Sequence, residues 1–151
     1  MRSLILLVAA ACASGGARYG SVALKSGASA SARPASFSVG ERSISSSNLQ
    51  ARVDDGCLRG TIGNMPLQFC ADSNDPTHWS GASGDFTARS NEDGKSVQVS
   101  GYMTLDAGRR VQMDQTIPLG NGPQWEELRR RPELLAIAST AADLQAAHIR
   151  P

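Results

Sequence analysis

The sequence predicts an α+β domain: an antiparallel β-meander of five to seven short strands, free to curl into a partial barrel, packed against one or two C-terminal helices. Three observations predict it. From Leu49 onward, short runs alternate apolar and polar residues and are cut by Gly, Asn and Asp turns. Cys57 and Cys70 flank one of those turns symmetrically, as partners across a hairpin would. After Gly122 the alternation gives way to helical spacing that is rich in Ala.

The chain begins with an export signal over residues 1–12. Arg2 supplies the positive charge, Leu4 to Ala11 the short apolar run, and small residues follow. The run is far shorter than the ~20 apolar residues that span a bilayer. Two processing routes are open. Cleavage after Ala11 or Ala13 would release a soluble protein. Residues 8–12 also resemble a bacterial lipobox, with Ala9 where lipoboxes usually carry Leu or Val. That resemblance implies cleavage before Cys12 and a lipid on its sulfur. The expected location is therefore the cell envelope, lipid-anchored on its periplasmic or outer face, or the medium beyond it.

The chain has three cysteines. With Cys12 lipidated or removed, Cys57 and Cys70 remain to pair in an oxidising compartment. Closing the loop between them stabilises the fold by about 3 kcal/mol in the chain-entropy model. They lack zinc-ligand spacing, with no further Cys or adjacent His.

Residues 13–47 are dominated by Ser, Ala and Gly, with no sustained apolar period, and read as a disordered linker. As a Gly/Ser-type coil it would span roughly 30–35 Å root-mean-square. Arg18, Lys25, Arg33, Arg42 and Arg52 stand against Glu41 alone over residues 13–53, so the tether is basic and suited to an anionic headgroup surface.

Residues 48–151 are expected to form one domain. Residues 49–53 alternate, and Asp54, Asp55 and Gly56 turn the chain. Residues 57–62 and 65–70 read as a hairpin around Gly63-Asn64, with Ile62 opposite Met65 and Cys57 opposite Cys70. Pro66 places its strand at an edge, or its amide site outside the ladder. A short strand near His78 and Trp79 and another over 86–90 precede the clearest one, where Val97, Val99, Gly101, Met103 and Leu105 share a face. Val111, Met113, Ile117 and Leu119 alternate in a last strand. The helices follow. Pro123 starts the first, with Trp125 and Leu128 as anchors and Glu126–Arg130 and Glu127–Arg131 as ion pairs. The second runs from Glu133 to about His148, with Leu134, Ile137, Ala138, Ala141 and Leu144 on its apolar face.

Chemistry concentrates in one loop. Asp72, Asp75, His78, Trp79 and Asp85 are the densest set of proton-transfer and ligating groups, and form the candidate binding loop. Asp75, His78 and Ser80 can be drawn as a hydrolytic set, but no Gly-x-Ser-x-Gly elbow accompanies them. A calcium loop starting at Asp72 meets Pro76 at its third ligand position and lacks the Gly and closing Glu. Trp79, beside His78 and Ser80, can stack on a sugar or anchor a protein, or fill the core. No catalytic set, metal site or cofactor motif is assigned.

The net charge is +1, the segment 54–122 holds more acids than bases, and Arg129 to Arg131 form the only basic run, facing glutamates. Nucleic-acid binding is disfavoured on that balance. The expected function is a non-catalytic binding or envelope-associated module, meeting the membrane through lipidated Cys12 and a protein or glycan of the envelope through its surface. Two alternatives remain: an inhibitor or chaperone of another exported protein, and a small hydrolase using the Asp72–Asp85 loop.

Overall fold

The structure is a computed structural model that describes residues 18–26 and 33–148. The expected export signal, with Cys12, lies outside them. Within them, eleven antiparallel strands form one curled half-barrel closed by two C-terminal helices. The α+β meander is as expected, with more strands than expected.

The strands follow each other in chain order: β1 (Arg18–Leu24), β2 (Ala35–Gly40), β3 (Ser43–Ser45), β4 (Leu49–Asp54), β5 (Cys57–Ile62), β6 (Met65–Ala71), β7 (His78–Gly81), β8 (Gly84–Ser90) and β9 (Ser96–Thr104). The long β9 then pairs with both β10 (Arg110–Gln112) and β11 (Gln115–Pro118). The first three strands correct the linker reading. Val22 and Leu24 of β1, Phe37 and Val39 of β2, and Ile44 of β3 are buried. Their two-residue periods are short and sit inside Ser-, Ala- and Gly-rich sequence, so average composition hides them. Burial on one sheet face repays the ordering entropy that the composition argument charges. Of the expected linker, residues 13–17 and 27–32 lie outside the described part.

Local chemistry sets the hairpins. Asp55 and Gly56 both adopt positive φ, 49° and 72°, the backbone of a two-residue type I′ turn, and Asp54 pairs with Cys57 across it. In the next hairpin Ile62 pairs with Met65 and Cys57 with Cys70, and the two sulfurs are joined. Pro66 lies where β6 has no β7 partner, because that pairing covers only Cys70 and Ala71. Ser83 serves that stretch instead. Its hydroxyl accepts the Gln68 N–H at 2.8 Å and donates to the Pro66 carbonyl at 3.3 Å. The expected last strand is broken in two at Met113 and Asp114. The Asp114 carboxylate accepts the Gly101 N–H and the Met113 N–H donates to the Gly101 carbonyl. Gly101 has φ 129°, and a Cβ there would lie 2.3 Å from the Asp85 carbonyl oxygen. Only glycine lets β8 and β9 approach so closely at this bend.

Helix α1 (Pro123–Arg130) starts with proline in its first turn, and α2 (Pro132–His148) follows after one residue. The ion pairing differs from the sequence reading in one respect. Glu127 pairs with Arg131 at 3.2 Å as expected, but Glu126 pairs with Arg129, one residue nearer than Arg130. α1 lies on β1 and β2, while α2 packs against β1, β3, β4, β8 and β9. Leu134, Leu135, Ala136, Ile137 and Ala138 of α2 are all fully buried. A helix apolar all round is one enclosed on all sides, and the curled sheet encloses this one. Its alanines keep the helix thin enough to fit. No helix among the described residues is long and apolar enough to cross a membrane.

Candidate binding site

The loop from Asp72 to β7 is built from side chain-to-backbone turns. Asp72 accepts the Asn74 N–H at 2.9 Å. Asp75 accepts the Thr77 N–H at 3.0 Å and the Thr77 hydroxyl at 2.6 Å. Arg89 from β8 reaches over, donating to Asp75 at 3.2 Å and to the Thr77 hydroxyl at 3.0 Å. The Thr77 hydrogen bonds, assisted by Arg89, hold the Asp75 carboxyl below its ordinary value of 3.8. This is the local self-satisfaction that Asx residues favour.

His78 begins β7. Its Nε2 lies 2.7 Å from an Asp85 oxygen and its Nδ1 3.5 Å from an Asp72 oxygen. The Asp85 hydrogen bond chiefly, then Asp72, raises the imidazole above 6.5 despite partial desolvation. Both ring nitrogens face carboxylates, which favours the protonated ring. A general base needs a nitrogen open to its proton donor, and neither nitrogen is turned to Ser80. The three carboxylates are also spent apart: Asp72 and Asp85 on His78, Asp75 on Thr77 and Arg89. Asp72, Asp75, His78 and Asp85 are thus brought together, as a clamp tying the β6–β7 loop to β8.

Trp79 is not part of that clamp. Strand side chains alternate faces, so with His78 outward Trp79 points inward, and only 4% of it is exposed. Of the two readings of this residue, an exposed stacking platform and a core tryptophan, the structure gives the second. One feature sets it apart from ordinary core: its indole N–H is buried and meets no acceptor among the described residues. A buried donor without a partner costs about 1–3 kcal/mol.

Trp79 forms part of the wall of a cleft of about 630 Å³ at one end of the half-barrel. Val53 and Ala88 add apolar wall, the turns at Arg42 and at residues 54–56 form one side of the rim, and the α1–α2 corner, residues 129–133, forms the other. Glu127 organises the corner. Its carboxylate, 5% exposed as a residue, accepts the Arg42 N–H at 3.1 Å and Arg131 at 3.2 Å, with Arg130 3.9 Å away. Arg42 holds φ 55°, which this N–H bond helps to anchor. Glu133, in the first turn of α2, is buried, and burial pushes its carboxyl up to about 7, with Arg131 opposing and Glu127 adding to the rise. Seven of the fifteen residues that line this cleft are charged, so it joins a small apolar wall to a strongly charged rim.

Arg42, Asp55 and Glu133, which line the cleft, and Glu127, which braces its corner, are not among the candidate residues the sequence offers. In the sequence Arg129 to Arg131 read as the only basic run and as ion-pair partners of the nearby glutamates. The triple arginine followed by Pro132 and Glu133 marks a sharp corner between two helices, and that is the signal that was available. Among the described residues no group of three or more His, Cys, Asp or Glu side chains is placed to hold a metal ion. No family model, curated protein or solved structure matches the chain.

Proposed function

We propose that this chain is an exported, non-catalytic binding module of the cell envelope whose ligand site is the cleft walled by Trp79. The observation that carries the reading is a cleft of ligand size whose wall includes Trp79, a residue whose indole N–H is buried with no acceptor among the described residues. Folding tolerates such a cost when another gain offsets it, and an acceptor supplied by a ligand is such a gain. The leader supports delivery to the envelope, with a lipid on Cys12 as the anchor. The intact mass of the mature protein, with and without Cys12→Ser, tests that part.

The binding part is tested by incubating the recovered chain with envelope extract and weighing retained adducts by native mass spectrometry. Trp79→Phe keeps an aromatic ring and removes the donor. Retention by the wild type and loss in Trp79→Phe is the expected result. No retained species on the wild type overturns the reading. A turnover that disappears in His78→Ala would replace it with the hydrolase, which requires His78 to leave Asp85 and Asp72.

A second reading rests on the seam of the half-barrel. Ala23, Leu24 and Lys25 at the end of β1 and residues 115–120 around β11 flank one groove of about 490 Å³. These are the two terminal strands of the meander, and an added strand between them suits an inhibitor or chaperone working by strand addition. Binding of an exported partner that survives Trp79→Phe and is lost on placing proline in β11 would favour it.

A further inference from the structure

The charges around the cleft narrow the class of ligand. The fold commits some of them and leaves others uncommitted. Arg129 donates its Nε to the Gly94 carbonyl at 2.8 Å and pairs with Glu126. Arg131 is held by Glu127. Arg130, whose side chain is 71% exposed, touches Glu127 only at 3.9 Å. The Arg42 guanidinium has no hydrogen-bond or ion-pair partner among the described residues, and the same holds for the carboxylates of Asp54 and Asp55. Among the described residues the rim therefore presents the Arg42 guanidinium and the Asp54 and Asp55 carboxylates without partners and Arg130 only loosely held, beside a wall that includes Val53, Trp79 and Ala88.

We propose that the cleft takes a zwitterion, an amino acid or a short peptide whose ammonium and carboxylate ends are both free. This rests on the cleft being the ligand site. The ligand carboxylate is served by Arg42 and Arg130, which suit planar oxyanions, and by the Trp79 N–H. The ammonium is served by Asp54 and Asp55. The side chain lies on Val53 and Ala88. A simple anion would leave the two aspartates repelling it, and a simple cation would leave the guanidinium groups and the indole donor unused. Specificity here comes as much from the unmet charge as from the met one. Burial raises the Glu133 carboxyl to about 7, which lowers the negative charge it brings to the cleft near neutral pH.

The test is native mass spectrometry of the full chain, as recovered from a bacterial host, against a randomised dipeptide pool. The same pool is run N-acetylated, C-amidated and unmodified, beside an equimolar mixture of free amino acids. The account expects adducts from the unmodified pool, and roughly tenfold less from either capped pool, the loss of one charge-assisted contact. Asp55→Asn and Arg42→Asn are expected to lower occupancy by a similar factor. Asn tolerates positive φ, so neither substitution should disturb its turn. Adducts from free amino acids with the same dependence on both ends also support the proposal, and place the ligand at single-residue size. Equal binding of the N-acetylated and unmodified pools overturns it in favour of an anion site. No adduct from any pool overturns it as well. In that case Trp79-dependent retention from envelope extract still stands or falls alone, so the two failures are distinguishable.

Discussion

His78 and Trp79 are adjacent in the chain and belong to opposite kinds of region. On the outer face of β7, His78, Asp72, Asp85, Asp75, Thr77 and Arg89 satisfy one another. On the inner face, Trp79 keeps a buried donor with no acceptor. The outer cluster looks like chemistry in the sequence and is a clamp in the structure. The inner residue looks like core and walls a cleft. Density of reactive residue types and unmet hydrogen-bonding demand thus point to different faces of one strand, and the proposed site follows the second.

The largest effect that would sharpen this contrast comes from Trp79 itself. Trp79→Ala removes a buried indole and should cost about 3–5 kcal/mol in chemical denaturation. Trp79→Phe should cost under about 1.5 kcal/mol, because losing the unpaired donor offsets part of the lost packing. Equal costs for the two would mean that the donor is satisfied in solution, and the contrast would fail.

Next in size is the corner that carries both faces. Cys70 is bonded to Cys57 and pairs with Ser80, next to Trp79. The Cys57→Ser, Cys70→Ser double variant should lose about 3 kcal/mol, read as a lower denaturation midpoint, with a steeper urea slope as the uncrosslinked chain unfolds to a more expanded state. A loss confined to hydrogen-exchange protection of β5 and β6 would instead mean that the staple acts locally.

The two regions also separate by pH. Glu133 belongs to the cleft, and its carboxyl is raised from 4.5 to about 7 on folding. The folded state binds the proton more tightly, so stability falls as pH rises through that window and is lowest above it. Glu133→Gln should flatten the fall and make the protein more stable than wild type above pH 7, by on the order of 3 kcal/mol at most. His78 belongs to the clamp, and its folded value lies above 6.5. Its contribution is fully present below the unfolded value and is lost as pH rises through the raised folded one. This is the smallest effect, since the ring is partly exposed and screened. Melting temperatures of wild type, Glu133→Gln and His78→Asn across pH should show two adjoining windows, the lower removed by the first substitution and the higher by the second. A single window removed by either one would mean that the two regions are coupled.

Much of the central sheet was legible in the chain. In β9 the alternation of Val97, Val99 and Met103 is unbroken, and Gly63-Asn64 with Cys57 and Cys70 specifies both the turn and the register of the β5–β6 hairpin. Local pattern suffices where every second residue is strongly apolar. It failed over β1 to β3, where pairs such as Val22 and Leu24 are embedded in Ser and Gly and gain their value only from packing on distant elements. It failed for the cleft for the same reason. Glu127 meets Arg42 across 85 residues of chain, and no short-range spacing announces that contact. The clamp was legible as a cluster, but not as self-satisfied, because its bonds depend on the register of β7 against β8.

In the proposed function, ligand meets the protein at Trp79 and not at His78. The direct measurement is a proton–nitrogen correlation spectrum of the labelled chain, followed as the unmodified dipeptide pool or envelope extract is added. The account predicts that the Trp79 indole N–H resonance moves saturably as it gains an acceptor, while the Trp125 indole and the His78 ring resonances stay in place. Movement of the His78 ring resonances with an unmoved Trp79 indole would contradict it.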